Sequence, residues 1–129
     1  MAEKTQPSMK EKGNILFVGG NSFVRDSFIT LFEREGYDCK SVSMAKDALQ
    51  LLKINRFTIV LIDTPLADMN GLDLCRRIHR LYPAKRQILF VDYQNRPTVR
   101  EACEAGIVDW IEKPVSSSAV DRVIFRVKK

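Results

Sequence analysis

The most informative segment of the chain is Phe57-Thr58-Ile59-Val60-Leu61-Ile62-Asp63, a mostly apolar run that ends in a carboxylate. A short run of this kind predicts a β-strand that is buried on both faces, as in a parallel sheet. An ionisable side chain is costly to bury without a partner, and open α/β sheets bind ligands at the carboxyl ends of their strands. Asp63 therefore marks the end of a central strand and a candidate site.

Outward from this strand, apolar strands alternate with amphipathic stretches. Further strands are predicted at 15–18, 38–43, 88–91 and 108–111. A helix follows each of the five strands, and the helices after the third, fourth and fifth strands are predicted at about 71–81, 97–105 and 116–127. Ser22 and Ser43 are the expected N-caps of the first two helices. Parallel strands are joined by helical crossovers. The pattern predicts an α/β three-layer sandwich, with a five-stranded parallel sheet between two layers of helices.

Length and polarity indicate one domain without a membrane segment. A chain of 129 residues suits one domain, and we expect residues 1–12 to be a flexible leader before a domain over 13–129. No apolar stretch is long enough to span a bilayer. The net charge of +5 raises nucleic-acid binding as a hypothesis. Solvated helix faces and tails are favoured instead, because the aromatic residues do not alternate with the basic ones.

The cysteine and histidine content argues against a metal centre or a catalytic triad. The three cysteines, Cys39, Cys75 and Cys103, have no paired spacing, and His79 is the only histidine. We expect all three cysteines to be buried free thiols, which indicates a reducing, cytoplasmic location. Since no nucleophile–base pair is evident, we expect no enzymatic activity.

Several of these residues match a known family pattern. Ile15-Leu16-Phe17-Val18 resembles the first strand of the receiver domain of response regulators in bacterial two-component systems. Asp63 with Gly71 eight positions later resembles the phosphoacceptor strand and its loop, and Lys113-Pro114 resembles the end of the fifth strand. The resemblance implies a flavodoxin-like fold with strand order 2-1-3-4-5 and a role in phosphorelay signal transduction.

The resemblance also assigns roles to single positions. In the family an aspartate accepts a phosphoryl group from a histidine kinase, and Mg²⁺ is held by that aspartate, an acidic pair after the first strand and a backbone carbonyl. By resemblance Asp63 is the phosphoacceptor position and Lys113 the active-site lysine. Pro65 supplies the carbonyl at the metal position, and Trp110 takes the place of the switch aromatic.

Two positions depart from the family pattern. The acidic pair falls on Gly19 and Gly20, and the hydroxyl position at the end of the fourth strand falls on Asp92. Mg²⁺ is usually held by one or two carboxylates, so we expect weak Mg²⁺ binding or none. A carboxylate about 4 Å from a phosphoryl charge is repelled by roughly 4 kcal/mol at intermediate dielectric. Asp92 has three possible arrangements: an ion network with Asp63 and Lys113, a relocated metal site, or a position facing solvent.

Three functions follow from these patterns. The first is an atypical receiver that acts by protein–protein interaction, with a histidine kinase or another signalling protein, or as a homodimer through the face of the fourth helix, fifth strand and fifth helix. The second is a functional phosphoacceptor receiver at Asp63. The third is a flavodoxin-like module that binds an anionic ligand on the Gly19-Gly20 turn, since glycines before a helix expose N–H groups.

Overall fold

The computed structural model describes residues 13–128 and contains one parallel sheet. Its strands are β1 Asn14–Val18, β2 Asp38–Val42, β3 Ile59–Asp63, β4 Arg86–Val91 and β5 Ile107–Glu112. They pair in the order β2-β1-β3-β4-β5, and every pairing is parallel. The predicted strand order is confirmed, and the predicted leader, residues 1–12, lies outside the described residues.

Helices cover both faces of the sheet. They are α1 Ser22–Arg34, α2 Ala45–Ile54, α3 Gly71–Leu81, α4 Val99–Glu104 and α5 Ser117–Lys128, with a 3₁₀ turn at Tyr93–Asn95 before α4. Apolar side chains of α1 and α5 pack on one face, and those of α2, α3 and the end of α4 pack on the other. This is the predicted three-layer sandwich. Across residues 13–128 no helix is both long and apolar enough to cross a membrane.

The central strand β3 is completely buried along its apolar run. Ile59 and Leu61 point toward α1 and α5, whereas Val60 and Ile62 point toward α2 and α3, and all four have no exposed surface. Burying an aliphatic side chain contributes about 1.5–3 kcal/mol before the loss of conformational entropy. The strand begins at Ile59, two residues later than predicted, and Asp63 is its last residue.

The caps of the first two helices differ from the predicted ones. Asn21 is the N-cap of α1, and its side chain accepts a hydrogen bond from Val24 N at 3.0 Å, so Ser22 lies inside the helix. Met44 is the N-cap position of α2, and Ser43 lies before it. The cap hydrogen bonds of α2 go instead to Asp68, whose carboxylate accepts from Ala45 N and Lys46 N at 2.8 and 3.0 Å.

The fourth helix is shorter than the predicted 97–105. Thr98 is its N-cap and forms a capping box with Glu101, in which each side chain accepts from the backbone N–H of the other residue. Pro97 therefore precedes the helix instead of lying in its first turn. The box satisfies two N–H groups that would otherwise have no partner within the helix.

Two of the three cysteines are buried as predicted, and the third is not. Cys39 and Cys75 are buried free thiols, and burial raises the pKa of each to about 12. Cys103 is exposed, because it lies on the solvent side of the short helix α4. The prediction that all three are buried is wrong for Cys103.

Gly106, which follows α4, allows a test of close packing against α3. Its φ of +73° lies in the left-handed region, and an added Cβ would lie 2.4 Å from His79 Nδ1. We expect Gly106→Ala to lower the free energy of unfolding by more than about 2 kcal/mol, measured by urea denaturation. Gly20→Ala is the control, since a Cβ there meets nothing within 4 Å.

The steric and backbone contributions to the loss of stability in Gly106→Ala can be separated with a second substitution. In a His79→Ala background the two shortest contacts, with Nδ1 and Cγ of His79, are removed, while the contact with Cβ and the backbone strain stay. The loss should therefore shrink by about 1 kcal/mol or more. An unchanged loss in that background would show that His79 does not limit the space at Gly106.

Asp68 gives a pH-dependent prediction for the cap of α2. Hydrogen bonds from Ala45 N and Lys46 N hold the pKa of the Asp68 carboxyl below its ordinary value. A depressed folded pKa contributes stability that is present above the unfolded pKa, about 3.9, and is lost as the pH falls through the folded value. We expect Asp68→Asn to lower the thermal midpoint at pH 7, with a difference that shrinks progressively below about pH 4.

The matched control is Asp47→Asn. This change removes a charge from the first turn of the same helix without removing either cap hydrogen bond. An equal effect of the two substitutions at every pH would contradict the role of Asp68 as the cap.

Candidate functional site

The candidate site lies where the carboxyl ends of β1, β3 and β4 meet. β3 pairs with β1 on one side and with β4 on the other, in a register that sets Asp63 opposite Phe90. Lys113 follows β5 directly, and its N–H donates to Val91 O at 2.9 Å. The sheet register therefore brings Asp63 and Lys113, fifty positions apart in the sequence, to one edge.

Asp63 and Lys113 form an ion pair. Lys113 Nζ lies 2.8 Å from Asp63 Oδ1, and the two side chains are 26% and 17% exposed. The same ammonium group donates to the backbone carbonyl of Thr64. Asp63 Oδ1 is itself buried, and among residues 13–128 its only close polar contact is this ion pair, whose geometry is not that of a directed hydrogen bond. The carboxylate is thus held mainly by the charge of Lys113.

The loop after Asp63 is fixed by short contacts. Thr64 Oγ1 donates to Phe90 O at 2.8 Å. The first residue of α3, Gly71, approaches Thr64 so closely that an added Cβ would lie 2.2 Å from Thr64 Cγ2. Asn70 caps α3 by accepting from Leu72 N at 2.8 Å. The glycine eight positions after Asp63 therefore allows the start of α3 to pack on the loop.

The turn after β1 carries Gly19 and Gly20 beside Asp63. A Cβ added at Gly19 would lie 2.9 Å from the Phe17 ring and 3.2 Å from Asp63 Cβ, whereas one at Gly20 would meet open space. Phe17 belongs to an aromatic cluster with Phe28 and Phe90, at centroid distances of 5.0 and 5.8 Å. A buried ring thus occupies space that a side chain at position 19 would need.

Arg25 also belongs to the site, although no role for it was predicted from the sequence. Its guanidinium Nη1 donates to Gly19 O at 2.7 Å, and the side chain is half-buried. A cation in the first turns of a helix is unfavourable beside the positive end of the helix dipole. The first turn of α1 contains no acidic residue. A basic residue at this unfavourable position was the sequence signal that its side chain binds a group outside the helix.

Asp92 lies near the site but does not join the ion pair. It is exposed, directly after β4, where the chain turns into the 3₁₀ segment Tyr93–Asn95 and Asn95 N donates to Asp92 O at 2.9 Å. Within residues 13–128 its carboxylate forms no ion pair. The predicted network of Asp63, Asp92 and Lys113 is therefore wrong for Asp92, while Asp63 and Lys113 do pair. The solvent-facing alternative is the observed one, since Asp92 is exposed at the start of the turn after β4.

The two remaining predicted positions flank the ion pair. Pro65 is exposed in the loop after β3, next to Thr64, whose carbonyl is taken by Lys113. Trp110 on β5 is half-buried and packs against the core on the α2–α3 side of the sheet. Its backbone N–H donates to Asp109 Oδ1 at 2.8 Å. Their roles in a metal site or a switch stay predictions.

These residues do not fit a Mg²⁺ ion. Asp63 is the only carboxylate among the positions that the family uses for the metal, since Gly19 and Gly20 supply none. Among residues 13–128 no group of three or more His, Cys, Asp or Glu side chains is arranged to hold a metal ion. Mg²⁺ dehydrates reluctantly and requires oxygen ligands with near-octahedral geometry. A single carboxylate already paired with Lys113 does not meet that demand.

Comparison with known proteins identifies the family. The family model described as the response regulator receiver domain matches residues 15–125. The chain belongs to the response regulator receiver domain family. Among curated proteins, this receiver is 30% identical over 111 residues to the alginate biosynthesis transcriptional regulatory protein AlgB of Pseudomonas aeruginosa. It is 27% identical to the chemotaxis protein CheY of Thermotoga maritima, over 89% of the chain and 97% of CheY.

Solved structures agree with this assignment. A CheY-like receiver domain protein from Methanospirillum hungatei superposes with a TM-score of 0.80 at 26% identity, covering 89% of this chain and 92% of that one. The match to AlgB covers 86% of this chain but only 25% of AlgB, so this receiver spans about a quarter of that relative. Full-length two-component response regulators of similar size also match, such as ORR3 of Oryza sativa at 28% identity over 98% of both chains.

The strength of the Asp63–Lys113 pair is testable with a double-mutant cycle. We expect Lys113→Met and Asp63→Asn each to lower the free energy of unfolding by about 1–3 kcal/mol, because each leaves a mostly buried charge without its partner. The double variant should lose at least about 1 kcal/mol less than the sum. Urea denaturation of the four proteins measures this coupling.

The control cycle uses the exposed Asp73–Arg76 pair of α3, which has the same 2.8 Å separation and side chains that are 60% and 40% exposed. Its coupling should not exceed about 0.5 kcal/mol, because solvent screens the charges. Equal coupling in the two cycles would contradict the inferred difference in burial.

Proposed function

We propose that this receiver is an atypical one, which takes part in two-component signalling through protein–protein contacts and not through Mg²⁺-dependent phosphorylation of Asp63. The observation that carries the proposal is the pair Gly19-Gly20 beside Asp63, with the Phe17 ring in the space of a side chain at position 19. Position 19 carries a glycine where the family has an acidic residue, and the Phe17 ring fills the space beside it.

The balance of charge around Asp63 supports the same conclusion. Asp63 is a single negative charge, already in contact with the ammonium group of Lys113. Arg25 adds a second cation, held at the carbonyl of Gly19. Phosphoryl transfer depends on positioning and on neutralising the charge of the transferred group. Here two fixed cations supply positive charge, but neither offers the open coordination positions by which a metal ion bridges two oxygens.

The position of Asp92 disfavours a stable phosphorylated state. In the family a hydroxyl at this position contacts the phosphoryl group, and a carboxylate there adds repulsion instead of a donated hydrogen bond. Since Asp92 is exposed, solvent screens part of that repulsion. The expected effect is a shorter-lived or less populated phosphorylated form, in addition to slower transfer.

The partner surface that we propose is the face formed by α4, β5 and α5. It exposes Val99 of α4 and Val108 of β5, which are 71% and 50% accessible, and Glu112 and Arg122 line a surface depression between β5 and α5. Protein interfaces commonly combine exposed apolar side chains with charged ones. A histidine kinase, another signalling protein or a second copy of the chain fits this surface. The cytoplasm is the proposed location, supported by the buried free thiols of Cys39 and Cys75.

A phosphoacceptor function at Asp63 is the second candidate. The retained Asp63–Lys113 ion pair and the half-buried Trp110 favour it. The third hypothesis, an anion on the Gly19-Gly20 turn, loses support because Gly19 N already donates to Val42 O at 3.0 Å. Val24 N is likewise taken by the side chain of Asn21. We propose no enzymatic activity for the chain under either of the first two candidates.

Beryllofluoride with Mg²⁺ separates the first two candidates, because it occupies an aspartate in place of a phosphoryl group. We expect no change in Trp110 fluorescence and no amide NMR shifts around Asp63 at millimolar Mg²⁺, since the ligands of the ion are missing. A saturable response that Asp63→Asn abolishes would establish the phosphoacceptor function instead.

Restoring the acidic pair tests the assignment of positions. Gly20→Asp alone should fold normally, whereas Gly19→Asp requires the Phe17 ring to move. The variant Phe17→Val/Gly19→Asp/Gly20→Asp provides the space and the two carboxylates together. We expect it to gain millimolar Mg²⁺ binding, detected by Trp110 fluorescence, with Phe17→Val alone as the control. A folded variant that binds no Mg²⁺ would show that these glycines do not stand at the metal position.

A further inference from the structure

A cavity of about 370 Å³ lies between α1 and the segment after β5. Its walls are apolar, formed by Phe23, Val24, Phe28, Phe90 and Val115 among others. Small-molecule sites in proteins commonly enclose about 300–1,000 Å³ and combine apolar walls with a few converging polar groups. The size of this cavity lies at the lower end of that range and therefore suits a small molecule.

The rim of the cavity carries an exposed aromatic ring. Phe23, in the first turn of α1, is 77% exposed. Phe28 and Phe90, deeper in the wall, are buried with their ring centroids 5.7 Å apart. An apolar surface thus runs continuously from solvent at Phe23 to the aromatic cluster under the sheet edge.

The charged groups that line the cavity are Asp63 and Lys113. They form a carboxylate–ammonium pair without net charge, through the contact of Lys113 Nζ with Asp63 Oδ1. A ligand that adds net charge would leave one charge unbalanced in a partly desolvated place, which is costly. A neutral head group that both donates and accepts hydrogen bonds complements the pair, because it can donate to the carboxylate and accept from the ammonium.

We propose that this cavity binds a small, largely apolar molecule with an uncharged hydrogen-bonding head group of the carboxamide type, the head directed to Asp63 and Lys113 and the apolar part toward Phe23. This site goes beyond the proposed signalling function and does not depend on it. The cavity is defined by α1 and the start of α5, whereas the proposed partner face is formed by α4, β5 and α5.

Three probes with one apolar part and different head groups test the proposal: phenylpropanamide, phenylpropionate and phenylpropylamine. Each is titrated into the full chain while amide NMR shifts are followed. For ligands of this size a dissociation constant of about 1–10 mM is expected from typical ligand efficiency. The amide should saturate with shifts centred on Val24, Asp63 and Val115, and the acid and the amine should bind about tenfold more weakly.

Two variants locate the binding site. Ser27→Trp introduces a large ring from an exposed wall position into the cavity and should abolish saturable binding. Phe23→Ala should weaken binding several-fold, because it removes the rim. Ile54→Ala is the matched control, since Ile54 is 76% exposed but lies at the end of α2, on the other face of the sheet. Thermal unfolding checks that each variant is folded.

Three results would overturn the proposal. The first is the absence of saturable shifts for the amide probe. The second is equal binding of the three probes, which would indicate non-specific apolar association. The third is binding of the amide that neither Ser27→Trp nor Phe23→Ala affects, which would place the probe elsewhere on the protein.

Discussion

A parallel strand that is buried on both faces leaves no place for a charged side chain except at its ends. β3 meets this constraint along its whole apolar run, with β1 on one side and β4 on the other. The pairing fixes Asp63 at the carboxyl edge of the sheet, where the chain first leaves the core. Lys113 reaches the same edge because β5 ends in register with β4. The ion pair of Asp63 and Lys113, the approach of α3 to the following loop and the cavity beside α1 all depend on that placement.

The aromatic cluster under this edge links the core to the chemistry of the site. Phe17, Phe28 and Phe90 fill the space beneath the turn after β1, and the edge of the Phe17 ring comes within van der Waals reach of Gly19. The large Phe17 ring and the buried glycine beside it therefore depend on each other for close packing. Two of these rings, Phe28 and Phe90, also line the cavity that opens toward Phe23. The aromatic cluster therefore connects the packing beside Gly19 with the wall of the cavity.

Local sequence patterns predicted most of the fold but not the contacts that complete it. The alternation of apolar strands and amphipathic helices predicted the three layers, and the resemblance to receiver domains predicted the strand order. The caps were partly wrong, because Asp68 reaches α2 from a loop more than twenty positions away. When a side chain from a distant segment caps a helix, the sequence next to that helix does not reveal the cap. The predicted burial of Cys103 was wrong for a related reason. An apolar stretch of sequence does not determine which side of a short helix faces solvent.

The amino-acid sequence was enough to predict the family, the central strand and the pairing of Asp63 with Lys113, because these follow from hydrophobic pattern and from motifs in a fixed order. It also shows that positions 19 and 20 carry no carboxylate. The three-dimensional packing was needed to show that Asp92 faces solvent, that Arg25 is held at the Gly19 carbonyl and that Phe17 occupies the space beside Gly19. The direction of a side chain at a turn, and the space left around a glycine, are set by segments that pack together from distant parts of the chain.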